Sequence, residues 1–317
     1  MRFYSIPMRT SYRGLQRRQG VLFQGPAGWG EFSPFAGYGP RESARWLAAA
    51  MEAAQGSWPP RRRDWIPVNV TIPAVPPAQA HAMTKASGCR TAKVKVAERG
   101  QCDADDIARV EAVRAALGSA GRVRIDVNGA WDVDHARRMI RDLSRFDLEY
   151  VEQPCGTLEE LAHVRRMVDV PIAADESIRR AEDPLRVRAA GAADIVVLKA
   201  QPLGGVMMAL RVAEACGLPA VVSSAVETSV GLAAGLALAA ALPDLPYACG
   251  LATLALLEGD VVDDPLLPVG GQIQVRRPDL DEETFRPYEI ESPAWRRRTA
   301  EAQALLDAPP MSKAVLQ

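Results

Sequence analysis

Ionisable residues recur at the ends of short apolar runs in this chain. Lys93 and Lys95 lie in AKVKV, Asp126 in VRIDV, and Glu152 ends LEYVE; Asp175 ends PIAAD with Glu176 next, and Lys199 ends DIVVLK. Charges are scarce in such runs, because an unpaired buried charge costs several kcal/mol or titrates until neutral. An ordered set therefore points to a site. Asp126, Glu152 and Asp175 would repel one another if brought together, so a hard divalent cation is implied between them. All-oxygen ligation favours magnesium, manganese or calcium over zinc or copper, with Mg2+ the first choice and Mn2+ a substitute. Lys95 precedes the carboxylates and Lys199 follows them, so two ammonium groups are expected to face each other across the ion. That is an acid–base arrangement. The ion and a second lysine should both lower the pKa of Lys95 until its amine takes a proton at neutral pH, while the ion stabilises the resulting oxyanion.

The elements that must position these residues are legible as an alternation. Strand candidates are VNVTI (68–72), AKVKV (92–96), VRIDV (123–127), LEYVE (148–152), PIAAD (171–175), DIVVLK (194–199), AVVSS (220–224) and YACGL (247–251). Helical patterns lie between them, including DADDIARVEAVRAAL with Asp103 as N-cap and DVDHARRMIRDLSR starting near Asp132. The step from Glu152 to Asp175 is 23 residues, and those on to Lys199 and to Ser223 are 24 each, one βα unit per step. No GxGxxG follows the first run, as a doubly wound nucleotide fold would show. The expected fold class is α/β, a (β/α) barrel of modified TIM type, with the working residues at the C-terminal strand ends.

Residues 1–66 differ in texture and read as an α+β capping domain, with GWGEFSPFAGYG, an amphipathic run over 42–54 and a breaker-rich SWPPRRRDW linker. The barrel is assigned to 67–253. Residues 254–317 are expected to pack back on barrel and cap, with a helix starting near Ser292 and disorder in the last residues. The segments from Arg9 to Gly14 and from Phe35 to Gly39 are expected to cover the barrel mouth, Arg13 offering a guanidinium to a substrate anion.

Composition narrows the partners. With 38 basic and 39 acidic residues in 317, the net charge of −1 gives no attraction to a polyanion, so nucleic acid is not expected as a partner. The five cysteines are scattered without CxxC spacing, which suits a reducing cytoplasm better than a disulfide framework. No signal peptide is visible, and the most apolar stretch, 230–242, is too short to span a bilayer and reads as a buried helix. His81, His135 and His163 fall in helical patterns away from strand ends and are read as ordinary residues.

The ordered set Lys93-Val94-Lys95, Asp126-Val127-Asn128, Glu152-Gln153-Pro154, Asp175-Glu176-Ser177 and Lys199 resembles the enolase superfamily, in its muconate-cycloisomerase-like group. Such sites pair a Lys or His base with magnesium-stabilised ene-diolates. Within the group, GWGEFSP, SSAVETSVG and GLATLALL are similar to segments of the o-succinylbenzoate synthase family of menaquinone biosynthesis. The resemblance implies a magnesium-dependent lyase that dehydrates a small-molecule carboxylate, with Lys95 as base and Lys199 as the charged partner. N-succinylamino acid racemases and dipeptide epimerases on the same scaffold are the alternative. Lys93, Ser223, Ser224 and Gly250 are then expected to contact substrate, the last three at its succinyl arm. Asn128 is expected beside the ligands, and Glu176 either orients Lys95, joins the ligands or caps the next helix.

Overall fold

The computed structural model describes residues 1–56, 58–180 and 184–308. The disorder expected of the last residues lies outside them from 309 onward. The chain opens with an antiparallel three-stranded sheet of β1 (Arg2–Tyr12), β2 (Leu15–Gly25) and β3 (Gly28–Phe32), followed by α1 (Pro40–Gln55) packed on it. Trp46 and Leu47 of that helix are fully buried with Phe3, Val21 and Phe32. The glycine content of GWGEF has a packing cause here: a Cβ at Gly30 would strike the carbonyl oxygen of Ala50, so only glycine lets helix and sheet approach this closely.

After the linker comes β4 (Trp65–Pro67), then the barrel strands alternate with helices. In chain order they are β5 (Val70–Ile72), α2 (Pro77–Ala86), β6 (Thr91–Lys95), α3 (Asp103–Leu117), β7 (Arg122–Asp126), α4 (Val133–Leu143), β8 (Leu148–Glu152), α5 (Leu158–Arg165) and β9 (Ile172–Ala174). The second half holds α6 (Glu176–Arg179), α7 (Arg186–Ala189), β10 (Ile195–Leu198), α8 (Ala200–Leu203), α9 (Val206–Cys216), β11 (Ala220–Val222) and α10 (Ser229–Ala241). All seven strands from β5 to β11 form one parallel sheet in sequential order. Each strand pairs only with its chain neighbours because each crossover is a single βα unit, the arrangement that curls a sheet into a barrel.

One expected strand is not formed. YACGL (247–251) contributes only single parallel bridges, Cys249 to Val68 and Gly250 to Ser223. The sheet nevertheless closes through it. Cys249 N–H donates to the Pro67 carbonyl at 2.7 Å, and Gly250 N–H donates to that of Val222 at 2.8 Å. Gly250 is confined by this seam, since a Cβ there would lie 2.5 Å from Ser223 Oγ.

Helix starts follow local chemistry. Asp132 caps α4 by accepting the His135 N–H at 2.8 Å, and Ser292 caps the C-terminal helix by accepting that of Trp295. Asp103 is not the cap of α3 as expected: Cys102 takes that position, its N–H held by the Asp105 carboxylate at 2.9 Å, and Asp103 instead pairs with His135. The apolar stretch read as a buried helix is α10, every residue of which is buried. No helix among the described residues is long and apolar enough to cross a membrane.

The tail returns to the start of the chain. Strand β12 (Gln272–Gln274) pairs antiparallel with β4, α11 (Glu282–Phe285) follows, and α12 (Pro293–Asp307) packs along α1. Ile290 N–H donates to the Phe3 carbonyl at 3.0 Å, and Trp295 meets Phe32 edge to face at 5.9 Å.

Candidate active site

Alternation along each barrel strand decides which side chains meet. Lys93 and Lys95, Arg124 and Asp126, Tyr150 and Glu152 are two residues apart, so each pair shares a face of the sheet. All six are buried. Register brings Lys95 opposite Asp126 and Asp126 opposite Glu152, so charges spread over sixty residues of sequence lie at one level of the barrel. Asp175 and Lys199 immediately follow β9 and β10 at the same end.

The polar contacts form one chain of charges. Lys93 Nζ donates to both carboxylate oxygens of Glu152 at 2.9 Å and lies 3.4 Å from Asp126. Lys95 Nζ donates to Asp126 Oδ2 at 2.5 Å and to Asn128 Oδ1 at 2.9 Å. On the other side Lys199 Nζ donates to Asp175 Oδ2 at 2.7 Å. Asn128 passes its amide N–H to Glu176 Oε1 at 3.1 Å, so Glu176 reaches Lys95 only through Asn128. The same Oε1 also accepts from Arg179 Nη2 at 2.5 Å, while Glu176 Oε2 is buried without a partner.

Three left-handed residues stand beside these groups. Ala97, Asn128 and Gln153 have φ of 56°, 52° and 41°, one each just after β6, β7 and β8. Non-glycine residues pay for such angles only where surrounding contacts hold them, and such positions cluster at functional sites. Gln153 shows the hold: its Oε1 accepts the N–H groups of Asp175 and Ser177 at 3.0 and 3.2 Å, tying the β8 end to the loop that carries Asp175.

Burial raises the carboxyl of Glu152 to about 7, with repulsion from Asp126 and Asp175 adding to it against the pull of Lys93. Asp175 is pushed up to about 6 by burial, helped by Glu176 and Asp126. Asp126 goes the other way: burial opposes its charge, but Lys95 and Lys93 outweigh it and hold the carboxylate ionised. For Lys95, burial favours the neutral amine, but Asp126, Tyr12 and Glu152 together outweigh it, so the protein's own groups raise its pKa.

No three of the described His, Cys, Asp and Glu side chains are gathered into a ready-made metal cage. Ammonium groups hold the carboxylates individually instead, Lys93 standing between Glu152 and Asp126. The donor set still suits a hard cation. It offers buried carboxylates and no sulfur or imidazole, two of the acids are raised by burial with repulsion from neighbouring carboxylates adding to it, and a Glu176 oxygen beside them has no donor.

The segments expected as a cover divide. The β1–β2 turn does lie on the site: the Tyr12 ring centroid is 5.2 Å from Lys95 Nζ. Arg13, however, spends its guanidinium on the carbonyls of Val96, Ala97 and Asp126 and on Glu98, so its contacts dock the turn on the barrel. Phe35 packs edge to face with Tyr38 and Trp46 at 5.8 and 5.7 Å inside the cap. Tyr38 is the residue of that segment that reaches the site. Its hydroxyl accepts from Arg179, whose Nε donates to Asp175 Oδ1 at 3.0 Å. Tyr38 lies within the expected covering segment of residues 35–39, whereas Arg179, to which its link spans 141 residues, carried no sequence expectation. Position +4 from Asp175 on a helix start was the available signal for Arg179.

Ser223, Ser224 and Gly250 meet at the closing seam. Ser224 N–H donates to the Gly250 carbonyl at 3.0 Å, and Ser224 Oγ pairs with Thr253 Oγ1 at 2.5 Å.

Residues 77–279 match the family described as enolase C-terminal domain-like, and residues 3–54 match enolase N-terminal domain-like. The chain is 69% identical over 303 residues to an o-succinylbenzoate synthase of Thermobifida fusca (strain YX), covering 96% of each. The chain belongs to the o-succinylbenzoate synthase family of the enolase superfamily. Solved structures agree on the fold. A muconate lactonizing enzyme from Pseudomonas fluorescens complexed with muconolactone superposes with a TM-score of 0.79 at 23% identity, over 91% of this chain and 97% of that one. A dipeptide epimerase from Enterococcus faecalis V583, complexed with Mg and the dipeptide L-Leu-L-Tyr, gives 0.71 at 23% identity, over 88% and 96%. As an o-succinylbenzoate synthase family member, the chain thus has both the cap and the barrel of the superfamily.

Another buried acid of the family's barrel lies just outside the charge chain. Burial and the nearby Glu31 push Glu227 up to about 7. In the unfolded chain it ionises near 4.5, so the folded state keeps its proton longer and stability falls as pH rises from about 4.5 through 7. Glu227→Gln should remove that fall. Relative to wild type, the variant is expected to gain on the order of 3 kcal/mol between pH 4.5 and 8. Denaturant unfolding across that range measures it, and parallel stability curves would refute it.

Proposed function

We propose that this member of the o-succinylbenzoate synthase family dehydrates 2-succinyl-6-hydroxy-2,4-cyclohexadiene-1-carboxylate to o-succinylbenzoate, using Mg2+ held by Asp126, Glu152 and Asp175. The observation that carries the reading is the pair of buried ammonium groups, Lys95 on Asp126 and Lys199 on Asp175, at opposite ends of the carboxylate row. Bound magnesium would supply positive charge for the substrate carboxylate and would favour the neutral amine of Lys95 by competing for Asp126.

Lys95 then takes the proton on the carbon bearing the carboxylate, and negative charge spreads into that carboxylate. Asn128 and Asp126 fix the direction of the amine, since both bond its nitrogen. Lys199 stays charged and stabilises the anion electrostatically or through the ring face. The conjugated anion expels its hydroxyl, which leaves as water with the proton that Lys95 returns, and the ring becomes aromatic. A single lysine suffices for both transfers when the elimination is syn. The Tyr12 ring beside Lys95 and the docked β1–β2 turn restrict water around it, as abstraction of a weakly acidic proton requires. Ser223, Ser224 and Gly250 at the seam are assigned to the succinyl arm.

The test is a parallel assay of the purified protein with magnesium on the cyclohexadiene acid and on a panel of N-succinylamino acids. Dehydration with kcat/KM far above any racemisation is the expected result. Racemisation with deuterium incorporation and no dehydration would overturn the reading.

A further inference from the structure

GWGEFSP and SSAVETSVG, two sequence segments that the proton-transfer steps leave unused, are fastened to each other across the boundary between cap and barrel. Glu31, in the first, is buried, and its carboxylate accepts five hydrogen bonds. Tyr4 Oη and Ser33 Oγ donate to Oε1 at 2.8 and 2.7 Å, and the Thr228 N–H, Thr228 Oγ1 and Gly231 N–H donate to Oε2 at 3.1, 2.5 and 3.1 Å. Thr228 is the N-cap residue of α10 yet makes no side-chain cap bond of its own. A carboxylate 197 residues away in sequence caps that helix instead.

The turn between β11 and α10 is strained. Val226 has φ of 63°, a conformation that a β-branched residue adopts only under outside constraint. The constraint comes from the cap. Arg18 Nε donates to the Val226 carbonyl at 2.8 Å, while Arg18 Nη2 donates to the carbonyl and hydroxyl oxygens of Ser33 at 2.5 and 2.7 Å. Ser33 is also the donor to Glu31, so Arg18, Ser33 and Glu31 form one connected clamp. The clamped turn carries the seam residues at its start: Ser224 Oγ accepts the Val226 N–H at 3.3 Å, and Ser223 bridges Gly250.

We infer that Arg18 and Glu31 are positioning residues for substrate, a latch by which the cap holds the 223–229 turn in the strained form that presents Ser223 and Ser224 to the bound molecule. The inference deepens the proposed function and rests on its assignment of those serines to the succinyl arm. The latch touches neither the carboxylate row nor the lysines, which come from other strands. Its loss therefore weakens substrate and product binding while leaving metal affinity and proton transfer in place.

Arg18→Lys keeps the charge and removes the planar fork. It is expected to raise both KM and the dissociation constant for o-succinylbenzoate about tenfold, with kcat within about twofold and magnesium affinity unchanged. Val226→Gly lets the turn adopt its angle without strain, so in that background Arg18→Lys should raise KM less than about threefold. Glu31→Gln, read the same way for product binding, carries the comparison should Arg18→Lys fail to fold. Unchanged product binding in the folded variants, an equal fold-change in both Val226 backgrounds, or a parallel loss of magnesium affinity would overturn the latch. Product binding needs no turnover, so a wild-type protein that binds product but does not dehydrate would count against the reaction alone.

Discussion

Lys95→Ala should lower kcat by about 10⁴-fold, the upper range for removal of a general base, and should abolish exchange of the substrate's acidic proton with solvent. Its nitrogen is the one ammonium bonded to both Asp126 and Asn128, under the Tyr12 ring. The change does not strand Asp126, because Lys93 Nζ remains 3.4 Å from it, so the variant is expected to fold and to bind magnesium. Lys199→Arg tests the other role. A retained cation beside Asp175 should keep a measurable fraction of turnover in a syn dehydration, whereas a two-base racemase would lose both variants alike. Turnover by Lys95→Ala within tenfold of wild type would remove Lys95 from the mechanism.

Metal removal is the second large effect. Chelation should abolish dehydration, and magnesium or manganese should restore it. Glu152→Gln should weaken magnesium binding by about a hundredfold or more, with the circular dichroism spectrum unchanged. Glu152 donates no hydrogen bond to the barrel ladder through its side chain, and its carboxylate is held only by Lys93 among the described contacts. Because burial and repulsion raise Glu152 to about 7, a proton competes with the cation there. Magnesium affinity should therefore rise about tenfold from pH 6 to pH 8 in wild type and stay flatter in Glu152→Gln. Titration calorimetry at several pH values reads this directly. Full activity in a metal-free preparation would defeat the ligand assignment.

The carboxylate row is legible in the sequence because its placement is local twice over. A strand alternates faces every two residues, which put Lys93 and Lys95 on one side, and each βα unit has a nearly constant length, which put Glu152, Asp175 and Lys199 at the same end of successive strands. The helices from 103 and 132 and the buried one over 229–241 followed from the same kind of short-range pattern. The eighth strand failed because YACGL had the composition of a strand but is used only as a seam, with single bridges on each side. A pattern of apolar residues cannot tell a closing segment from a full strand when the difference is how many residues its neighbours leave for pairing.

Contacts between distant parts of the chain were decided only in three dimensions. Charge pairing is one case: the spacing does not say which ammonium holds which carboxylate, but the fold sets Lys95 on Asp126 at 2.5 Å and Lys93 on Glu152 at 2.9 Å, and Asp126 helps to raise the pKa of Lys95. Aromatic placement is another, since Phe35 and Tyr38 are alike in sequence, and only packing against Trp46 turns Phe35 inward and sends the Tyr38 hydroxyl to Arg179. Glu31 and Thr228, or Arg18 and Val226, share no period and no spacing rule, being about two hundred residues apart. Short-range stereochemistry determined which residues face the barrel interior; desolvation and hydrogen-bond satisfaction, which depend on every neighbour at once, decided what each of them holds.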